Sequence, residues 1–219
     1  KIIKFCNHLL GHIRGGLSYV NISASMLFAG ISGTAISDTA SLGAVMIPAM
    51  KKEGYDSDFS CAITAASSTV GPIIPPSLPM IIAATLSGLS VGKLFLAGAI
   101  PGLLLGLGLM LVAYFVAKKK NYPKHQKSSI LQILKSFTNT FWALLMTLII
   151  LFGIVGGVFT PTEASVVAVI YALFIGTFVY KKLNLKNISV VILDSMKTTA
   201  SLFFYQKFYQ SPLLIYLVI

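Results

Sequence analysis

Acidic residues are scarce in this 219-residue chain, where six Asp and Glu stand against seventeen Lys and Arg and all charged residues amount to 11%. An average soluble domain carries about 25% charged residues, so a water-soluble fold is disfavoured from the outset. Cysteine is nearly absent. Cys6 and Cys61 form no CxxC, and with three histidines they cannot assemble a Cys/His metal centre or a disulfide framework. Both read as packing residues, since free cysteine behaves as a small hydrophobe. No HExxH, GxSxG or phosphate loop occurs. Asp38 and Asp194 lie in unrelated contexts, so the facing aspartates of an intramembrane protease are lacking. The expectation is a protein that is not an enzyme.

What is present is hydrocarbon, at 56% of residues. Residues 94–117, 138–157 and 162–180 are each long enough to cross an apolar layer about 30 Å thick. The basic excess falls in clusters at 1–14, 51–52, 118–127 and 181–186, between apolar segments. That is the distribution of a positive-inside membrane protein rather than of a nucleic-acid binder. Two crossings fit between 52 and 118 and two between 135 and 181, which leaves the last three clusters on the cytoplasmic side. The outer turns are then 87–93 and 158–163. Residues 118–135 are expected to be a polar, interfacial link.

The segment 17–50 breaks this pattern, because one crossing would put Arg14 and Lys51 on opposite faces. As a single helix its length would be about 51 Å, too long for one span. Its middle is small and polar, Ser32-Gly33-Thr34, so the expectation is a re-entrant helical hairpin turning at 30–35. Backbone of that kind is tolerated at membrane depth only beside protein or a watery cavity. The next crossing, 59–86, is interrupted by Gly71, Pro72, Pro75 and Pro76 and reads as a broken helix. An ordinary span follows, with Gly98, Gly102, Gly106 and Gly108 available for close helix packing. Thr160 is placed to cap a helix starting at Pro161, and Glu163 sits in its first turn, a structural position. His8, His12 and His125 read as interfacial.

Two elements can carry chemistry, the hairpin tip at 30–43 and the break SSTVGPIIPPS at 67–77. A broken helix leaves carbonyls and amides without partners, able to coordinate a cation and face an anion. The candidate ion or substrate residues are Ser32, Gly33, Thr34 and Asp38 at the tip, with Ser67, Ser68, Thr69, Gly71, Pro72, Pro75, Pro76 and Ser77 at the break. For either break alone, a simple kink with hydroxyls bonded back to the backbone is an equal reading; two in succession favour a site. Asp38 stays open between proton or sodium coupling and a structural role at the tip.

The strings GHIRGGL from Gly11, ASMLFAGISGTAISDTASLG ending at Gly43, IPAMKKEGYD from Ile47, SSTVGPIIPPS from Ser67, LFLAGAIPGLLLG from Leu94 and FTPTEA from Phe159 together resemble the large membrane subunit of the tripartite ATP-independent periplasmic (TRAP) transporters. The resemblance implies a multi-pass protein of the bacterial inner membrane. Its activity would be sodium-driven uptake of an organic acid, a dicarboxylate or a sialic acid, with no cofactor beyond the coupling ion. Implied partners are a small membrane subunit and a periplasmic substrate-binding protein; nucleic acid is not one. The implied fold is all-α, with hairpin and broken helix forming the first inverted repeat of an elevator-type transporter. Sodium would be held near Ser32, Gly33, Ser67, Ser68 and Gly71.

On that reading the chain divides into the end of a preceding helix and a link (1–16), the hairpin (17–50), the broken helix (51–92), a spanning helix with basic link (93–135), two spanning helices (136–186) and the start of a second repeat, apparently truncated (187–219). Family members are about twice this length. The family pattern runs to about Phe204 and gives way to a Tyr-rich tail with Tyr205, Tyr209 and Tyr216, as an interrupted gene would produce. Another ion-coupled anion carrier, a non-transporting remnant and a membrane enzyme remain as alternatives.

Overall fold

The computed structural model describes residues 1–124, 128–181, 183, 188–197 and 199–200. His125, most of the basic cluster at 181–186 and the Tyr-rich tail lie outside the described residues. Two units are distinguished, Lys1–Val169 and Ile170–Ile219. Among the described residues all regular structure is helical.

The first unit contains α1 (Ile2–Leu10), α2 (Gly16–Ser32), α3 (Ala35–Lys52), α4 (Ser57–Ser68), α5 (Leu78–Ser87), α6 (Val91–Lys119), α7 (Ile130–Val155) and most of α8 (Pro161–Phe174). Helix α2 is the centre, touching α1, α3, α4, α6 and α7. It has no single apolar face because neighbours surround it, and even Ser18, Asn21 and Ser25 are fully buried. It ends at Gly33, whose φ of 62° is left-handed and suits glycine. Thr34 then starts α3, its hydroxyl accepting a hydrogen bond from Ser37 N–H at 3.4 Å. Helices α2 and α3 thus fold back on each other through Gly33 and Thr34.

Helix α4 stops at Ser68, where tight turns at 69–74 replace α-helical bonding: Val70 N–H donates to the Ser67 carbonyl and Gly71 N–H to that of Ser68. The Pro75–Pro76 bond is cis. Ser77 then restarts the chain as α5, accepting from Met80 N–H at 3.4 Å and donating to the Pro72 carbonyl at 2.6 Å.

Helix α6 packs through a glycine at every fourth position, Gly98, Gly102 and Gly106. A Cβ on Gly98 would stand 2.8 Å from the Ile73 carbonyl oxygen, one on Gly102 2.6 Å from Ile74 Cγ1, and one on Gly106 2.5 Å from Met26 Sδ. Gly108, expected in the same role, meets nothing within 4 Å, because it lies off this face. The opposite side exposes Leu96, Ile100, Leu103, Leu104, Leu107 and Leu111, an apolar surface suited to lipid or to further membrane helices.

Among the described residues three helices are long and apolar enough to span a bilayer: Val91–Lys119, Ile130–Val155 and Pro161–Val179, the last including a π-helical turn. One expectation is corrected here. Residues 130–135, read as interfacial link, are the first turns of α7, because Ser129 N–H bonds to Gln132 Oε1 at 3.2 Å and initiates the helix early. The start of α8 is closed as expected, Glu163 N–H donating to Thr160 Oγ1 at 3.3 Å and Thr160 N–H to Glu163 Oε2 at 2.8 Å. In the second unit residues 188–197 are helical.

Candidate functional site

The α2–α3 turn and the α4–α5 break meet. A Cβ on Gly33 would lie 3.1 Å from Leu78 N and 3.7 Å from the Pro76 carbonyl oxygen, and one on Gly71 would lie 3.7 Å from the Thr34 carbonyl carbon. Glycine at both positions lets the two backbones approach closely. Asp38, in the first turn of α3, is fully buried at this junction. Ser32 Oγ donates to its Oδ1. Among the described residues its Oδ2 is buried without a hydrogen-bond partner, and the same Gly71 Cβ would lie 3.2 Å from that oxygen and 3.2 Å from the Ser68 carbonyl oxygen. A carboxylate oxygen and a main-chain carbonyl oxygen therefore converge beside a residue with no side chain.

Burying an unpaired carboxylate oxygen is costly. Oxygen donors of this kind suit a hard cation, and a proton on Asp38 would relieve the same cost. The sequence-predicted residues divide at this point. Ser32, Asp38, Ser68 and Gly71 stand together, with Thr34 contributing backbone; Gly33 lies against the Pro76 carbonyl and Leu78 N, Pro75 precedes Pro76 through the cis bond, and Ser77 caps α5. Pro72 accepts from Ser77. Thr69 is exposed, its hydroxyl donating to the Ala66 carbonyl at 2.7 Å, so its side chain is turned out of the cluster. The Ser67 side chain also faces elsewhere, its Oγ 2.9 Å from Ser25 Oγ.

That second contact belongs to a polar seam that sequence reasoning missed. Asn21 Nδ2 donates to Thr64 Oγ1 at 2.7 Å, and one helical turn along, Ser25 meets Ser67. All four side chains are fully buried. The seam runs between α2 and α4 and leads toward the Asp38 junction. Its signal was available in the spacing: Asn21 and Ser25 are four apart in an apolar helix, and Thr64 and Ser67 are three apart, so each pair shares one helix face.

Helices apolar and long enough to span a bilayer, joined in one chain to a buried carboxylate where a helix turn meets a helix break, are the features of a membrane protein of the transport class. A family model described as "Tripartite ATP-independent periplasmic transporter, DctM component" matches residues 1–205, and the chain belongs to that family. It is 46% identical over 199 residues to the sialic acid TRAP transporter permease protein SiaT of Haemophilus influenzae, a match covering 91% of this chain and 32% of that protein. It is 46% identical over 200 residues to the sialic acid TRAP transporter large permease protein SiaM of Vibrio cholerae, covering 91% and 47%. It is 44% identical over 204 residues to the C4-dicarboxylate TRAP transporter large permease protein DctM of Pseudomonas aeruginosa, covering 93% and 48%. The chain thus spans about half the length, or less, of these relatives.

Proposed function

We propose that this chain contributes the first ion- and substrate-handling repeat of a sodium-coupled organic acid importer. In this reading the hairpin α2–α3 is re-entrant, and it moves with the broken helix α4–α5 as part of an elevator-type transport domain in a bacterial inner membrane. Sodium is the coupling ion. Asp38 Oδ2 and the Ser68 carbonyl oxygen are its first ligands, with the Ser32, Gly33 and Ser67 backbone carbonyls as further donors. The cargo carries a carboxylate, as sialic acid and C4-dicarboxylates do, the solutes for which the relatives are named. A small membrane subunit and a periplasmic binding protein complete the system.

The observation that carries this reading is the buried, unpartnered Oδ2 of Asp38 facing the Ser68 carbonyl across Gly71. A ligand that binds only the folded state raises the unfolding temperature with its concentration. The test is thermal unfolding of the purified chain in detergent, in sodium chloride against potassium chloride at equal ionic strength. Sodium is expected to raise the midpoint, and Asp38→Asn to abolish the increment while leaving the midpoint in potassium close to that of the parent. An increment that survives Asp38→Asn would sink the assignment of that carboxylate. A midpoint that responds to pH and not to sodium would replace sodium coupling by proton coupling.

A further inference from the structure

Tyr114 stands where two recesses on the outer side of the first unit adjoin. One, of about 250 Å³, is walled by Arg14, Tyr114 and Lys118. The other, of about 430 Å³, is walled by Tyr19, Leu107, Met110, Leu111 and Tyr114, hydrocarbon apart from the tyrosine hydroxyls. Together they make a trough with a basic mouth. We propose that this trough binds one anionic phospholipid, its phosphate between Arg14 and Lys118 and one acyl chain along Leu107 and Leu111.

Height in the membrane supports this occupant. Lys118 lies in the last turn of the spanning helix α6, and Arg14 lies in the link between α1 and α2, so both cations stand at the level where lipid phosphates lie. From Tyr114 to Leu107 the trough descends about 10 Å along the helix axis, into hydrocarbon depth. Tyrosine at the junction suits the boundary, with its ring against acyl chain and its hydroxyl toward glycerol.

Charge supports it as well. Arg14 uses Nη1 on Asn121 Oδ1 at 3.1 Å, which leaves further guanidinium donors. Among the described residues neither Arg14 nor Lys118 pairs with a carboxylate. Asp56, an acid that meets this end of α6, is engaged by Lys120 at 3.0 Å and by Tyr122 at 2.9 Å. Two uncompensated cations over an apolar trough complement an anionic headgroup on a hydrocarbon tail. A neutral membrane segment would leave both charges unanswered. The inference depends on the membrane reading alone and holds whichever ion drives transport.

The test is native mass spectrometry of the purified 219-residue chain after exposure to equimolar phosphatidylglycerol and phosphatidylcholine in mixed micelles. Each basic residue near an anionic headgroup contributes about fivefold in binding. The parent is expected to retain phosphatidylglycerol at least about tenfold over phosphatidylcholine, and Arg14→Gln/Lys118→Gln to bring the ratio close to one. Lys51→Gln/Lys52→Gln removes the same charge from the end of α3 and is expected to leave the ratio unchanged. Leu111→Trp keeps the mouth and fills the trough, and is expected to lose the retained lipid. Equal retention of the two lipids by the parent, as when another protein segment is what the trough receives, overturns the proposal. So does equal loss in the control pair, or full retention by Leu111→Trp.

Discussion

Asp38 and Gly71 face each other across the junction of hairpin turn and helix break, with the Cβ that Gly71 lacks falling 3.2 Å from Asp38 Oδ2. At that distance the neighbour must yield by a few tenths of an ångström. Gly71→Ala is therefore expected to fold, with an unfolding midpoint in potassium within a few degrees of the parent's, while the added methyl crowds the place where a cation would sit. The sodium-dependent rise in midpoint should fall to less than half. Titrating sodium against the melting curve checks this, and an unchanged sodium response would place the cation away from Gly71.

The seam between α2 and α4 gives a second expectation. Asn21 and Thr64 are fully buried and joined by a 2.7 Å hydrogen bond, while Thr64 Oγ1 also donates to the Ser60 carbonyl at 2.7 Å. Asn21→Leu removes one amide and leaves Thr64 its second partner, so its cost should be about 1–2 kcal/mol. In the double variant Asn21→Leu/Thr64→Val the losses should fall short of additive by about 0.5–1 kcal/mol, the coupling of one buried interhelical bond. Chemical unfolding in mixed micelles measures each corner of this cycle. Strict additivity would mean that the bond contributes nothing.

Much of this fold was legible because apolar length and glycine/proline punctuation are local signals. The spans, the turn at Gly33 and the stop after Ser68 follow from residues that act on their own neighbours. The early start of α7 was hidden because Lys135 and Ser136 look interfacial, and a helix can carry them past the apolar boundary once Gln132 bonds to the Ser129 N–H. The division of the site was hidden for another reason. Whether Ser67 or Ser68 faces Asp38 depends on the rotation of α4 against α2, which Asn21–Thr64 and Ser25–Ser67 fix from the far side. Thr69 could not be separated from its neighbours by type, since all three are small hydroxyls; only burial distinguishes them.

Lys120, Asp56 and Tyr122 join the end of α6 to the α3–α4 link. Asp56 N–H donates to Tyr122 Oη at 3.4 Å, and Tyr122 stacks on Tyr55 with ring centroids 4.3 Å apart. Hydrogen bonds from Lys120 and then from Tyr122 hold the Asp56 carboxyl below its ordinary value of 3.8. A group whose pKa is depressed by folding stabilises fully above its unfolded value and loses that contribution as pH falls through the folded one. The unfolding midpoint of the parent should therefore fall toward that of Asp56→Asn below about pH 3.8 and exceed it at neutral pH. Tyr122→Ala also removes the stacked ring and should cost about 3 kcal/mol at neutral pH, with a weaker dependence on pH than the parent because one of the two donors to Asp56 is gone.

The glycines of α6 separate packing from propensity within one helix. At Gly98 an added Cβ would meet the Ile73 carbonyl oxygen at 2.8 Å, and that atom belongs to the tight turns between α4 and α5, where the backbone has little room to give. Gly98→Ala should destabilise the chain by about 1–3 kcal/mol, the cost of overpacking. At Gly108 nothing lies within 4 Å, so Gly108→Ala should be neutral or stabilise by up to about 1 kcal/mol through helix propensity.

The basic clusters predict the sidedness of the chain. Lys52, at the end of α3, and Lys119, at the end of α6, should face the cytoplasm, while Val158, in the turn before α8 that carries no basic residue, should face outward. The native Cys61 is exposed and Cys6 buried, so both are first replaced by serine. Single cysteines at Lys52→Cys, Lys119→Cys and Val158→Cys are then challenged with a membrane-impermeant maleimide in intact cells and in inverted vesicles. Labelling of Val158→Cys in cells, and of the other two only in inverted vesicles, is the expected pattern. It has a specific consequence for α2 and α3. Arg14 bonds to Asn121 beside the end of α6, so on that pattern it shares a face with Lys52, and the re-entrant reading of α2–α3 requires the pair to enter and leave from this same side. If Lys52→Cys labels in intact cells while Lys119→Cys does not, α2–α3 crosses the membrane, and the re-entrant reading together with the inverted-repeat mechanism built on it must be given up.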